Sequence, residues 1–286
     1  MIKVVSCMLE NFNNMLEKAK NGKYAIPHFN INNCEWAKYI LEECNELQNP
    51  IIIGVSESAV KYMGGYNTVS KMIEGLIIDL KITIPVCLHL DHGSSFKNCK
   101  KAIDAGFSSV MIDASKENIQ ENIKITSKTT EYAHKKGVSV EAELGYIGTA
   151  TTQKSMKNTT AEQCIEFYNA TKIDALAPAL GSIHGLYKKK PNLDFKTMNE
   201  IKHSIPIPIV LHGGTGIPEL QLKKAISCGI SKININTDLQ VVWSKDVRKY
   251  LKYNKKIYDP RKIISSGEKA IKKRVKEIVT LCRNTI

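Results

Sequence analysis

The chain has 286 residues, 43% of them hydrophobic, and a formal net charge of +13 at neutral pH. That length and apolar content supply a sizeable core and exclude a small disulfide-stapled scaffold; no apolar stretch approaches the roughly 20 residues of a membrane span. The charge could draw an anionic substrate or nucleic acid. Yet the lysines are spread along the chain, with KKK at 188–190 the one tight run before the C-terminal helices, and few aromatics interleave with them. A solvated lysine-rich surface accounts for that pattern, and no nucleic-acid or membrane partner is expected.

The opening MIKVVSCMLENFNNML carries Glu10 within its apolar pattern and no small-residue cleavage site, so it does not read as a signal peptide. From there, short β-branched runs alternate with helical patterns, as in successive βαβ units. Tyr24–Phe29 reads as a strand before a helix over Cys34–Gln48, and Ile51–Ser56 as a strand before Thr68–Leu80. Strand Pro85–His92 precedes helix Phe96–Ala105, and strand Ser109–Ala114 precedes helix Ile119–Lys135. Ser139–Leu144 leads to Ala161–Ala170, Ala175–Leu180 to Phe195–His203, and Pro208–Gly213 to Pro218–Cys228; Lys232–Thr237 is the eighth strand. Several strands are almost wholly apolar, as when both faces are covered. The pattern predicts an α/β fold: one (β/α)8 TIM barrel across residues 1–286, with extra C-terminal helices from about 238 to 286. That last segment reads as two basic helices interrupted by YDPRK. The eight cysteines, at 7, 34, 44, 87, 99, 164, 228 and 282, form no CxxC pair. Scattered in this way they suit a reducing compartment, and a cytoplasmic location is expected.

Five potential metal ligands close five of these runs: His92, Asp113, Glu143, His184 and His212. Parallel strands that converge on one mouth place side chains in this way, and three neutral imidazoles suit zinc. Asp91 stands beside His92. Strict alternation turns the two to opposite faces, but a chain that curls at the strand end brings both to the mouth; the bland alternative is a helix-capping Asp beside a packed His. His212 opens Gly213-Gly214-Thr215-Gly216, and the next strand ends Asn234-Ile235-Asn236-Thr237. Glycine-rich turns before helix N-termini, on consecutive late strands, suit a phosphate group. His28 and His89 fall inside strand runs and read as packed or hydrogen-bonded. His134 and His203 sit at polar helix ends, where solvent or the helix dipole explains them, and Trp36 and Trp243 at apolar helical spacing, where core or interface packing does.

HLDHGSS, GFSSVMIDAS, VSVEAELG, APALGSIHG, VLHGGTGIP and KININTDLQ, in this order, resemble the class II, metal-dependent fructose-bisphosphate aldolases, and the likeness runs from YAIPHFNINN to YDPRK. The resemblance implies a zinc held by His92, His184 and His212, with Asp91 as the acid–base group. Asp113 and Glu143 match carboxylates of a second or alternate metal position. Gly181 and Gly213 match carbonyl donors to a monovalent cation, Na+ or K+. Gly185, Gly213, Thr215, Asn236 and Thr237 match the pocket for the ketone-half phosphate, and Asn234 an asparagine beside the developing enediolate. Ser56 and Arg261 match contacts to the other phosphate, Arg261 from a second subunit of a homodimer or homotetramer. The implied activity is reversible cleavage of fructose 1,6-bisphosphate into triose phosphates, without a Schiff-base lysine.

One departure stands out. In the family the loop after ELG runs through a glycine pair to an acidic pair, one glutamate of which moves protons at the enediolate carbon. Here it reads Gly145-Tyr146-Ile147-Gly148-Thr149-Ala150-Thr151-Thr152, with no carboxylate until Glu162. Lys116 is a second departure, at a position where many relatives carry histidine. Tagatose 1,6-bisphosphate is an alternative substrate, differing at C4 alone, and inositol-derived or sulfonated sugar phosphates are further ones. A non-catalytic sugar-phosphate binder on the same scaffold is the alternative of another class.

Overall fold

The computed structural model describes residues 9–149 and 158–283. Cys7 and the threonines at 151 and 152 lie outside them. Eight parallel strands close into a barrel in simple chain order: β1 (Ile26–Asn30), β2 (Ile51–Ser56), β3 (Val86–Gly93), β4 (Ser109–Ile112), β5 (Ser139–Leu144), β6 (Ala175–Pro178), β7 (Ile209–Leu211) and β8 (Ile230–Ile235). The ring closes where β1 pairs with β8, Ile26 against Lys232 and His28 against Asn234.

The two-residue period of a strand sorts side chains between two cores. Val86, Leu88 and Leu90 of β3, with Val140 and Ala142 of β5, point outward into the large cluster beneath the helices. Ile52, Cys87, Ala175, Ala177 and Val210 point inward and form an apolar layer at the barrel floor. That floor is sealed by α1 (Asn13–Gly22), which inserts Met15, Leu16 and Ala19 beside Phe12. This helix falls outside the elements predicted from sequence, because it plugs the barrel end and belongs to no βα repeat. Above the floor the interior turns polar: His28, His89, Glu141 and Lys232 are all 0% exposed. The sequence marked no lysine as a Schiff-base former, and the buried Lys232 is instead paired with Glu141.

The ring helices α2 (Cys34–Glu46), α4 (Tyr66–Asp79), α5 (Phe96–Asp104), α6 (Ile119–His134), α7 (Ala161–Thr171), α8 (Phe195–Ser204) and α9 (Glu219–Ser227) follow the predicted spans within a few residues; the short α3 (Glu57–Tyr62) precedes α4. The C-terminal segment holds three helices rather than two. Between α10 (Thr237–Tyr253) and α12 (Glu268–Arg283), the YDPRK stretch forms α11 (Pro260–Ser265), capped by Asp259 with proline in its first turn. The barrel's eighth covering helix is α12, which buries Ile271, Val275, Ile278, Val279 and Cys282, while α10 buries only Leu239 and Val247.

Trp36 and Trp243 pack edge to face at 6.0 Å. His134, expected to need only solvent or the helix dipole, is bonded at 2.8 Å to Asp174. His89 bonds Ser109 at 2.8 Å, whereas both ring nitrogens of His28 are buried without a hydrogen-bond partner among the described residues. Among those residues no helix is long and apolar enough to cross a membrane.

Gly54 of β2 faces this interior, and a Cβ there would stand 1.6 Å from His28 Nε2 and 2.5 Å from two more ring atoms. Gly54→Ala is expected to cost about 1–3 kcal/mol by overpacking. Because the nearest clash is with His28, Gly54→Ala with His28→Ala should be more stable than the sum of the single losses. A double-mutant cycle on thermal or denaturant unfolding measures that coupling; additive losses would place the strain elsewhere.

Candidate active site

The mouth at the C-terminal ends of the strands holds a cavity of about 610 Å³. Asp91, His92, Asp113, His184, His212 and Asn234 line it, together with Ser56, Gly185, Gly213, Thr215, Asn236 and Thr237. Asp91 and His92 reach it together because β3 does not stay regular. The β3–β4 register shifts between Leu90 and Gly93, and His92 takes the left-handed backbone conformation, φ 51°. A side chain held there costs on the order of 1–3 kcal/mol. The bend turns two consecutive side chains to one cavity, which strict alternation forbids.

Each of the three histidines has one ring nitrogen tied down. His92 Nδ1 bonds the Asp113 carboxylate at 2.8 Å, His184 Nδ1 the Ile147 carbonyl at 3.0 Å, and His212 Nε2 the Glu141 carboxylate at 2.8 Å. All three partners are acceptors, so the tied nitrogens carry protons, and His92 Nε2, His184 Nε2 and His212 Nδ1 are the nitrogens left to meet a metal. The last two face each other at 3.4 Å, and one donor atom from each histidine lies within 4.8 Å of the others. Lone pairs turned toward one another repel unless a cation lies between them. The donor set therefore fits a zinc ion, with second-sphere acceptors already in place.

The surrounding charge favours a cation as well. Burial alone would lower His92, but Asp91, Asp113 and Glu143 raise it to about 10. Burial and the nearby Asp113 push Glu143 up to about 8. Burial lowers His184 to about 3 and also lowers His212, so both are neutral and free to donate. His92, Asp113 and Glu143 form a second cluster of potential ligands.

Asp91 is 7% exposed, and its carboxylate accepts from Asn30 Nδ2 at 2.8 Å and, at 3.5 Å, from Asn234 Nδ2. Burial opposes its ionisation, yet His92, His28, His212 and the Asn30 bond hold it well below the usual carboxylate range. It is an oriented anion at neutral pH. On the β7–β8 side, Gly213 has φ 65°, and a Cβ there would lie 2.0 Å from the Ile183 carbonyl oxygen. Only glycine lets the loops after β6 and β7 approach so closely. Tyr187 fastens them, donating its hydroxyl to Gly213 O at 3.0 Å and accepting from the Ile183 amide at 3.0 Å. Asn236 caps nothing: its buried Oδ1 lacks a partner among the described residues, and the α10 N-terminus opens beside it into the mouth. Such an end suits an anion.

Three predicted residues are absent from the cavity lining: Glu143, which stays 3.8 Å from His92, and Arg261 and Gly181, which stand apart. Arg261 is 89% exposed and paired at 3.0 Å with Asp259, outside the cavity lining of this single chain. Gly181 is also absent from that lining; it packs where a Cβ would meet the Asn192 carbonyl oxygen at 2.2 Å. Conversely, Asn30, Glu141, Lys232 and Tyr187 were not singled out from sequence. Strand periodicity carried a signal for two of them: Glu141 precedes Glu143 by two, and Lys232 precedes Asn234 by two, so each shares the inward face of a residue already chosen.

The family model described as "Fructose-bisphosphate aldolase class-II" matches residues 10–285. The fructose-bisphosphate aldolase of Geobacillus stearothermophilus is 52% identical over 267 residues, covering 92% of this chain and 93% of that protein. That of Staphylococcus aureus (strain N315) is 52% identical over 271 residues, 94% of this chain and 95% of its own. Among solved structures, the YdjI aldolase from Escherichia coli K12 superposes with a TM-score of 0.84 at 33% identity, covering 96% of this chain and 97% of its own. Fructose-bisphosphate aldolase from Campylobacter jejuni gives 0.83 at 25% identity, covering 98% and 97%.

The Glu141 carboxylate also accepts from Lys232 Nζ at 2.6 Å, so it is the hinge of the buried layer. Glu141→Gln is expected to weaken zinc binding about 10–100-fold, read by competition with a chromophoric chelator, and to lower the thermal midpoint by leaving Lys232 unpaired. Adding Lys232→Met should recover stability without recovering zinc affinity. An affinity equal to wild type in Glu141→Gln would remove the carboxylate from metal binding.

Proposed function

Because the chain belongs to the class II fructose-bisphosphate aldolase family, we propose that it reversibly cleaves fructose 1,6-bisphosphate to dihydroxyacetone phosphate and glyceraldehyde 3-phosphate, as a cytoplasmic, homodimeric or homotetrameric enzyme of glycolysis or gluconeogenesis. The observation that carries this reading is the convergence of one ring nitrogen from each of three histidines beside the oriented anion of Asp91. His92, His184 and His212 would hold zinc, which when bound supplies Lewis acidity toward the ketone and adjacent hydroxyl oxygens. Asp113 and Glu143 offer the alternate metal position, and the carbonyls of Gly181 and Gly213 a site for Na+ or K+.

The chain's own residues do the rest. Gly185, Gly213, Thr215, Asn236 and Thr237 hold the ketone-half phosphate, with the α10 N-terminus favouring its charge. Ser56 meets the other phosphate, joined by Arg261 of the partner subunit in the oligomer. With both ends held, the C3–C4 bond is fixed over the reacting groups. Asp91 takes the proton of the C4 hydroxyl; the C3–C4 bond breaks and its electron pair stays on the ketone half. Asn234, whose amide already points into this cluster, donates to the oxygen on which charge develops. Asn30 keeps Asp91 turned to the substrate.

Zinc-loaded protein is expected to cleave fructose 1,6-bisphosphate, to stop after chelation and to resume when zinc is restored. Tagatose 1,6-bisphosphate, assayed in parallel, tests selection at the C4 hydroxyl that Asp91 faces. Asp91→Ala should keep metal and substrate binding while turnover falls about 10²–10⁴-fold. Zinc-replete protein that cleaves neither sugar would favour a non-catalytic sugar-phosphate binder.

The missing acidic pair has its own consequence. Residues 150–157 lie outside the described ones, but the sequence from Gly145 to Ala161 contains no carboxylate. Threonine does not exchange a proton near neutral pH as a carboxylate does. Deuterium exchange at the reacting carbon of dihydroxyacetone phosphate, followed by NMR, should be slow beside a homologue carrying the acidic pair. Equal rates would sink this expectation.

A further inference from the structure

The mouth is poor in positive charge for a site that takes a dianionic ester at each end. Among the described lining residues, the carboxylates of Asp91, Asp113 and Glu117 stand against a single lysine, Lys116. Each phosphate ester carries about 1.5–2 negative charges near neutral pH. On the β6–β8 side the glycine loop and the α10 N-terminus meet one such group with backbone donors. On the opposite side the described lining offers nothing comparable apart from Lys116: Ser56 and Ser94 are neutral, and Asp113 and Glu117 would repel the second phosphate. Arg261 is outside the lining and tied to Asp259.

Lys116 stands where that charge is required. It follows β4, which lies across the closed ring from β8, so Lys116 and the Asn236–Thr237 pair occupy opposite rims of one cavity. Its carboxylate neighbours are occupied elsewhere or leave it alone. Asp113 is bonded to His92 and Ser115, and among the described residues Lys116 forms no ion pair. The exposed ammonium instead lies 6.0 Å from the centroid of the Tyr146 ring, which also lines the mouth. A stem laid toward an aromatic face keeps the ammonium at the cavity with its donors free.

We propose that Lys116, seated between the β4 and β5 loops, binds the phosphate of the aldehyde half and so selects bisphosphorylated over monophosphorylated ketoses. The proposal rests on the aldolase reading above and assigns to this chain's own β4 loop a contact that Arg261 alone does not supply within one subunit. The lysine contributes binding and orientation; bond cleavage remains with the groups at the centre.

The test compares zinc-loaded wild type, Lys116→Ala and Lys116→Arg on fructose 1,6-bisphosphate and on fructose 1-phosphate, which lacks the second phosphate. Losing one charge-assisted hydrogen bond should lower kcat/KM for the bisphosphate about 10–100-fold in Lys116→Ala. The value for fructose 1-phosphate should stay within about 3-fold, and Lys116→Arg should recover most of the preference. Loss of equal size on both substrates would overturn the proposal, since the residue would then serve the common chemistry. So would an unchanged preference in Lys116→Ala, which would leave the phosphate to other groups. Wild type that cleaves neither substrate would instead overturn the aldolase reading, and this proposal with it.

Discussion

The hydrogen bond from His212 to the buried Glu141 carboxylate is the contact on which the site's arrangement turns. It joins β7 to β5, and through Lys232 it reaches β8, at full burial. A buried ion pair gains little net stability over well-packed apolar side chains, because desolvation offsets its attraction; breaking one partner costs about 3–5 kcal/mol. Such a pair is explained by what it positions. Here it decides which nitrogen of His212 bears the proton, and so which one faces His92 and His184.

The same logic runs outward. Asp113 fixes His92 and the Ile147 carbonyl fixes His184, each from a different strand or loop. Asn30 and Asn234 fix Asp91 from the two strands that close the ring. No single loop holds the site. Each of these side chains is oriented by a neighbour from another strand or its loop, and barrel closure is what brings those neighbours within reach. The left-handed backbone at His92 is strain this scaffold sustains: a regular β3 would send either His92 or Asp91 away from the mouth.

Much of this was legible in the chain. The alternation of β-branched and helical runs marked eight strands, and the polar residues that end them marked the mouth, because parallel strands must deliver their C-terminal ends to one side. The family motifs agreed with both. Other features were hidden for identifiable reasons. α1 plugs the barrel floor and is no part of the repeat. α12, not α10, covers the barrel beside β8, a choice made by which helix has the apolar face to bury. The burial of Lys232 carried no signal in its strand, since lysine is almost always solvated, and the carboxylate across the barrel makes that burial tolerable.

From the sequence alone come the identity and order of the groups. Three histidines, two metal-type carboxylates, an adjacent aspartate and two glycine- or asparagine-rich turns are set at strand ends by a period of two and by chain order. The tertiary structure decided which nitrogen each imidazole presents, how Asp91 and His92 share one face, and that Lys116 and the α10 N-terminus look across the same cavity. Those outcomes depend on contacts between strands distant in sequence and on one local break in register. Local propensity carries no information about either.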